Sequence, residues 1–191
     1  QPGVLPGWPE TRGMEVAKKY FTKREGTCWA CPTSCFNLVE VKEGKFAGTK
    51  VSRGLMPGVV FEWGGKCALD NLPAIWRCKQ MCQHLGLDYA STASSIAFAM
   101  ELFQRGIINE KDTDGLKLTW GNEDAVVAMV EKIANREGFG NILAEGSFRA
   151  AKIIGKEAEK YVMATKGSDI MSCDPRADRR GWLFGILTNP K

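Results

Sequence analysis

Three cysteines stand close together in the run Cys28-Trp29-Ala30-Cys31-Pro32-Thr33-Ser34-Cys35. Whatever the rest of the chain folds into must present a loop there. Thiolates at gaps of two and then three residues can wrap three corners of a cubane, and they cannot all bridge to one another. Iron–sulfur clusters are held by cysteine thiolates, usually four, supplied by short spaced runs of this kind. Cys28, Cys31 and Cys35 are therefore read as three ligands of such a cluster. Structural zinc would require a second close cysteine pair or a histidine to complete a tetrahedron. The chain has no second Cys-x-x-Cys, and its single histidine is His84.

The remaining cysteines are Cys67, Cys78, Cys82 and Cys173, an odd total of seven in a chain too long to need staples. Disulfide frameworks belong to small secreted domains with even counts. A reducing, cytoplasmic compartment is expected. Cys78 and Cys82 lie one helical turn apart on an apolar face and are expected to pack in the core. None of the four stands out as the fourth cluster ligand.

A chain of 191 residues can bury roughly 70% of its unfolded surface. The net charge of +4 comes from Lys and Arg scattered among nearly as many Asp and Glu, which argues against a nucleic-acid partner. Arg179-Arg180 reads as a solvated pair. No apolar run approaches the roughly 20 residues that span a bilayer, so no membrane partner is expected. The opening Gln1-Pro2-Gly3-Val4-Leu5 lacks an initiator Met and resembles no signal peptide. With the ending Thr188-Asn189-Pro190-Lys191, it suggests a piece of a longer polypeptide.

Periodicity predicts a mainly α-helical fold with a small β-hairpin near the cysteine loop. Residues 1–13, with Pro2, Pro6 and Pro9, are expected to be irregular. A short helix is expected over Met14–Thr22. Alternation at Leu38, Val39 and Val41, with a turn at Glu43-Gly44-Lys45, predicts a hairpin over Asn37–Val51. Ser52 to Lys66, rich in glycine, reads as a loop.

Asp70 or Asn71 then caps a helix with Pro73 in its first turn, burying Ile75, Cys78, Cys82 and Leu85 and stopping at Gly86. A second helix is expected over Thr92–Arg105, with Ile96, Ala99, Met100 and Phe103 on one stripe. A third starts at Asn122 with Glu123 and Asp124 in its first turn, carries Val126, Met129, Val130 and Ile133, and closes at Gly138. A fourth is expected over Asn141–Ile154.

Smaller motifs add less. Gly64-Gly65-Lys66 fails as a phosphate loop, because Val60 stands where the first glycine belongs and Cys67 where Ser or Thr belongs. His84 sits at a helix end, where a structural role is expected. Gly86-Leu87-Asp88 joins two helices. A carboxylate there could accept hydrogen bonds from the guanidine-like edge of a pterin, although an acid before a helix is commonly a cap.

Taken together, Cys28-x-x-Cys31-Pro-x-x-Cys35, Gly86-Leu87-Asp88, the stretch from Trp120-Gly-Asn-Glu-Asp through Arg136-Glu-Gly-Phe-Gly-Asn-Ile-Leu-Ala-Glu-Gly-Ser147, and Asp174-Pro175-Arg176-Ala177 resemble the tungsten-dependent aldehyde:ferredoxin oxidoreductases. The similarity runs in order along nearly the whole chain. It implies a fragment of a multidomain oxidoreductase, with residues 1–163 matching the helical second domain and 164–191 opening the third. It also implies that a β-rich domain cradling a tungsten (or molybdenum) bis-pterin precedes this segment.

Cys28, Cys31 and Cys35 match three ligands of a 4Fe–4S cluster. The fourth is expected beyond residue 191, in a second Asp-x-x-Gly-Leu-Cys motif. Gln83, Gly86, Leu87 and Asp88 match the family's pterin-binding Asp-x-x-Gly-Leu-Asp, with Gln83 in place of the first Asp. Thr27, Thr33 and Ser34 become candidate donors to the cluster sulfurs, and Trp29 its candidate shield from water.

The implied activity is oxidation of an aldehyde to a carboxylate, with electrons passed to ferredoxin or a similar carrier. Further implied partners are the remaining domains of the same polypeptide, and the segment alone is expected to be inactive. Many members carry Gly-Pro-Glu-Tyr-Glu where this chain has Gly54-Leu55-Met56-Pro57-Gly58, without a carboxylate, so no catalytic residue is assigned. A relative of the aromatic acyl-CoA reducing branch, or a non-enzymatic helical module with structural zinc, are the alternatives.

Overall fold

The computed structural model describes residues 11, 13–27, 29–32, 36–54, 57–170 and 188. Asp174-Pro175-Arg176-Ala177, Cys173 and the Arg179-Arg180 pair lie outside them. Among the described residues the chain is mainly helical with small antiparallel sheets.

Helix α1 (Met14–Lys18) is shorter than the expected Met14–Thr22. The chain leaves it to form β1 (Phe21–Gly26), which pairs antiparallel with β2 (Phe36–Glu40). Among the described side chains of this helix Ala17 alone is buried, so continuing it would have gained little apolar burial. Strand pairing of the backbone wins instead. The predicted hairpin is present as β2 and β3 (Lys50–Ser52), with Leu38 opposite Ser52 and Val39 opposite Val51. Val39, Val41 and Val51 form the buried face of this three-stranded sheet, ordered β1-β2-β3.

Ser52–Lys66 is not the loop that its glycines suggested. It contains α2 (Pro57–Val60), continued directly by a π-helical turn over Phe61–Gly65. Val59, Val60 and Trp63 are buried there, and that burial overrides the low helix propensity of Gly58, Gly64 and Gly65.

The longer helices follow the predicted periodicities. They are α3 (Leu72–Leu85), α4 (Tyr89–Gln104) and α5 (Glu123–Asn135). Their facing sides carry fully buried Ile75, Trp76, Cys78, Ile96, Met100, Val126 and Met129. Trp76 also meets the Tyr20 ring edge-on at 4.9 Å, tying the sheet side to α3. Asn122 caps α5, accepting from the Ala125 N–H at 3.2 Å. Leu85, expected inside, is 45% exposed, because the chain turns away at Gly86 and Leu87 packs on the core instead. Helix α4 starts three residues earlier than expected, and α5 ends at Arg136, before Gly138.

The expected helix over Asn141–Ile154 is two helices, α6 (Phe139–Leu143) and α7 (Ser147–Ile154). Gly146 at φ 81° breaks them, a left-handed position that an L side chain adopts only under strain. A 3₁₀ turn (Ala158–Tyr161) and a two-stranded ribbon, β4 (Ala164–Thr165) with β5 (Ser168–Asp169), complete the described chain. Among the described residues, no helix is long and apolar enough to cross a membrane.

Candidate functional site

Gly26 pairs with Phe36 at the end of the β1–β2 ladder, so the cysteine loop is the open end of a hairpin. Cys28, Cys35, Thr33 and Ser34 lie outside the described residues. Cys31 is half-buried, and the Thr27 hydroxyl donates to its carbonyl at 2.7 Å, across Ala30 in a left-handed conformation (φ 54°). Trp29, the expected shield, is 97% exposed at this tip and covers nothing among the described residues.

The other described thiols behave differently. Cys67, Cys78 and Cys82 are fully buried. Burial pushes the Cys67 and Cys82 thiols up to about 12 and Cys78 well above its ordinary range. Neutral thiols in apolar surroundings are poor metal ligands, since the thiolate is the ligand. Packing is their role, as the helical spacing of Cys78 and Cys82 suggested. A half-exposed thiol in an open hairpin loop suits a cluster better than any of them. Among the described residues, no group of three His, Cys, Asp or Glu side chains could hold a metal ion, two of the three loop cysteines lying outside them.

Helix α3 ends in a tight left-handed turn at Gly86 (φ 72°), with the Leu87 N–H bonded to the Cys82 carbonyl at 2.8 Å. Gln83 and His84 sit exposed on its last turn. Leu87 anchors the turn against the core, and exposed Asp88 begins α4. The Asp88 carboxylate caps that helix, accepting from the Ser91 N–H at 2.8 Å. One oxygen of the carboxylate takes this bond, and an ionised carboxylate offers about four lone-pair sites. Asp88 can therefore cap and still accept from a ligand.

Side chains that the sequence did not flag link the turn beside the start of β2 with the Gly86-Leu87-Asp88 turn. After β3 the chain turns at Arg53 (φ 57°) and Gly54, next to the start of β2, where the Gly54 N–H reaches the Asn37 carbonyl at 3.4 Å. Helix α3 holds this turn. Lys79, only 3% exposed, donates to the Ser52 and Arg53 carbonyls at 3.0 and 3.2 Å. Trp76 Nε1 donates to the Gly54 carbonyl at 2.8 Å. Burial, and then the Arg53 charge, lower the Lys79 ammonium to about 8.

From the same place Lys79 Nζ lies 5.7 Å from the Tyr89 ring, on the residue after Asp88. Lys79 thus spans from the sheet end carrying the cysteine loop to the Gly86-Leu87-Asp88 turn. Beyond it, Glu62 is buried on the π-helical turn and ion-paired with Lys66. Lys66 also donates to Ser94 Oγ at 2.7 Å and the Ile170 carbonyl at 2.6 Å. Burial first, then Glu62, keep the Tyr89 phenol above its ordinary range and so a neutral donor. A Cβ at Gly58 would sit 3.9 Å from that phenol oxygen. Gly64-Gly65-Lys66 is thus a helical turn with its lysine in an ion pair, consistent with rejecting a phosphate loop.

A signal for Lys79 was present. Ile75, Cys78, Lys79 and Cys82 fall at i, i+3, i+4 and i+7, so a charge stands on the buried stripe itself.

The whole chain, residues 1–191, matches the family described as aldehyde ferredoxin oxidoreductase, domains 2 and 3. It is 34% identical over 191 residues to a tungsten-containing aldehyde ferredoxin oxidoreductase of Pyrococcus furiosus, covering 99% of this chain and 30% of that protein. A relative of the same description from Thermococcus kodakarensis is 30% identical over 190 residues, with 99% and 30% covered. The chain thus spans about a third of the length of these relatives. Among solved structures it resembles the active-site complex of benzoyl coenzyme A reductase bound to 1,5-dienoyl-CoA. That match has a TM-score of 0.68 and 29% identity, over 81% of this chain and 22% of the other.

Proposed function

This chain belongs to the aldehyde ferredoxin oxidoreductase family, and from that premise we propose that it is the cluster-holding and pterin-contacting segment of a tungsten- or molybdenum-dependent oxidoreductase. Its substrates are aldehydes, oxidised to carboxylic acids, and its electrons leave through a 4Fe–4S cluster to ferredoxin or a similar carrier. Residues 1–163 form the second domain and 164–191 open the third. The observation that carries this is the family match over the whole chain, with α3 holding the Ser52–Gly54 turn at the sheet end from which the cysteine loop departs and ending in the Gly86-Leu87-Asp88 turn.

In this assignment Cys28, Cys31 and Cys35 hold the cluster, and a cysteine of the remaining polypeptide completes it. Asp88, Gly86 and Leu87 receive one pterin, with Gln83 as an uncharged acceptor. When bound, the metal–pterin supplies two-electron chemistry and the cluster one-electron transfer. The chain's share is to fix both groups on one scaffold. Asp88 orients a ligand by accepting its N–H bonds. Tyr89, neutral beside Gly58, offers an O–H donor next to the end of the carboxylate-free stretch 54–58.

A second reading within the family, reduction of an aromatic acyl-CoA, is favoured by two observations. One is the benzoyl coenzyme A reductase neighbour. The other is the carboxylate-free stretch Gly54-Leu55-Met56-Pro57-Gly58.

The test is anaerobic purification of the full-length protein, metal analysis and viologen-coupled assays. About four irons per chain, tungsten or molybdenum, and aldehyde-dependent viologen reduction are expected. Turnover of aromatic acyl-CoA without aldehyde oxidation selects the second reading. A protein free of iron and tungsten-group metal overturns both.

A further inference from the structure

Gly58 is a helical residue of α2 whose φ lies outside the left-handed region, so its backbone is open to any L side chain. Crowding does not call for glycine either. Among the described residues, a Cβ there would meet one atom beyond its own helix backbone, the Tyr89 phenol oxygen, at an ordinary contact distance of 3.9 Å. Glycine is also the poorest helix former after proline. What it does at this position is leave the hydroxyl of Tyr89 uncovered on that side.

Tyr89 is held from its other end. Its ring packs on the core and lies 5.7 Å from Lys79 Nζ, which is itself fixed by donation to the Ser52 and Arg53 carbonyls. The preceding residue, Asp88, caps α4 through the Ser91 N–H, so the backbone from which the ring departs is set as well. Among the described residues no hydrogen bond takes up the phenol O–H. Burial first, then the charges of Glu62 and Asp88, keep it protonated against a smaller pull from Arg53.

A neutral, oriented O–H with open space beside it selects an acceptor oxygen. The guanidine-like edge of a pterin donates and suits the Asp88 carboxylate, which accepts. The phenol one residue on has the opposite sense. An aldehyde offers the matching acceptor and brings no charge that would have to be desolvated.

We propose that Tyr89 donates its O–H to the carbonyl oxygen of the aldehyde substrate, and that Gly58 keeps the approach to that hydroxyl open. The proposal rests on the pterin assignment of Asp88 made above, which places the metal-bearing cofactor beside this residue. Tyr89 keeps its proton, and its contribution is to hold the carbonyl in one orientation.

The experiment is a calorimetric titration of the anaerobically purified, metal-loaded full-length enzyme with two probes. Benzamide carries the carbonyl but no aldehyde hydrogen to lose; toluene has the ring and no oxygen. Tyr89→Phe is expected to keep its tungsten and pterin and to bind benzamide about fivefold to tenfold more weakly, the worth of one neutral hydrogen bond, with toluene unchanged. Gly58→Ala, which brings a methyl against the hydroxyl, is expected to melt no lower than the wild type and to bind benzamide more weakly.

Unchanged benzamide affinity in Tyr89→Phe with cofactor retained overturns the proposal and leaves the pterin assignment standing. So does an equal loss for both probes, which would make the ring a matter of shape, and so does a loaded wild type that binds no benzamide. Loss of tungsten and pterin in Tyr89→Phe, from a wild type that holds them, gives the hydroxyl to the cofactor and overturns it too. A wild type without tungsten-group metal or pterin removes the pterin assignment, and the proposal with it.

Discussion

Asp88 has one observed role and one proposed role, which a pair of substitutions can separate. Its carboxylate caps α4 by accepting from the Ser91 N–H at 2.8 Å, and its remaining lone pairs are those proposed to receive a pterin. Replacing an N-cap Asp by Ala costs about 1 kcal/mol of helix stability, whereas Ser is nearly as good a cap as Asp. A loss of that size raises the open population of the first turn by a factor of about five. Thr92 does not compensate, because its N–H and hydroxyl both bond the Asp88 backbone carbonyl, at 3.0 and 2.7 Å, in either variant.

Hydrogen exchange read by mass spectrometry on the full-length enzyme should show the start of α4 exchanging about fivefold faster in Asp88→Ala and near the wild-type rate in Asp88→Ser. Tungsten and pterin content should fall in both, since a hydroxyl cannot offer the planar pair of acceptors that a carboxylate does. If Asp88→Ser retains full cofactor content, Asp88 is a cap and nothing more, and the pterin role assigned to this turn is wrong.

Other consequences are as direct. Gly54→Ala places a methyl against the stiff, buried Val39 and should destabilise by about 1–3 kcal/mol, seen as a lower urea midpoint. Gly65→Ala, with open space around its Cβ, should change it little. Cys67, Cys78 and Cys82 should resist alkylation at pH 8 in iron-free but folded protein while half-exposed Cys31 is labelled, as peptide mapping would report. Lys79 is lowered from 10.5 to about 8 by folding, so between those values the unfolded chain binds more protons. Stability should therefore rise with pH across that window, and Lys79→Met should flatten the rise in pH-dependent denaturation midpoints.

What could be read in advance follows from where the information sits. The buried stripes of α3, α4 and α5 repeat every three to four residues, so their existence needed no tertiary knowledge. The cysteine loop declared itself by spacing alone. Strand β1 did not, because Phe21-Thr22-Lys23-Arg24-Glu25-Gly26 carries little alternation and is a strand only by pairing with β2. The π-helical turn was hidden for a similar reason. Two adjacent glycines argue locally for a loop, and only the burial of Trp63 and of the Glu62–Lys66 pair outweighs them. Arg53 looked like any lysine or arginine beside a glycine; its left-handed turn depends on Trp76 and Lys79 reaching it from a helix more than twenty residues away in sequence.

That dependence explains why α3 matters more than its position in the core suggests. From Lys79 to Gly86 the helix advances about 10 Å, at 1.5 Å per residue. One end of this span holds the turn beside the cysteine loop, and the other is the Gly86-Leu87-Asp88 turn. A regular helix buried at Ile75, Trp76, Cys78 and Cys82 cannot stretch or rotate without opening the core around it. The separation between the two motifs is therefore set by helical rise and not by loops. The connection over residues 41–49 lies at the opposite end of the sheet from Phe36 and Arg53, so its length does not set this separation. Under the proposed assignment of a cluster and a pterin to these two turns, a short buried helix with a lysine on its apolar stripe is a direct physical way to fix their spacing.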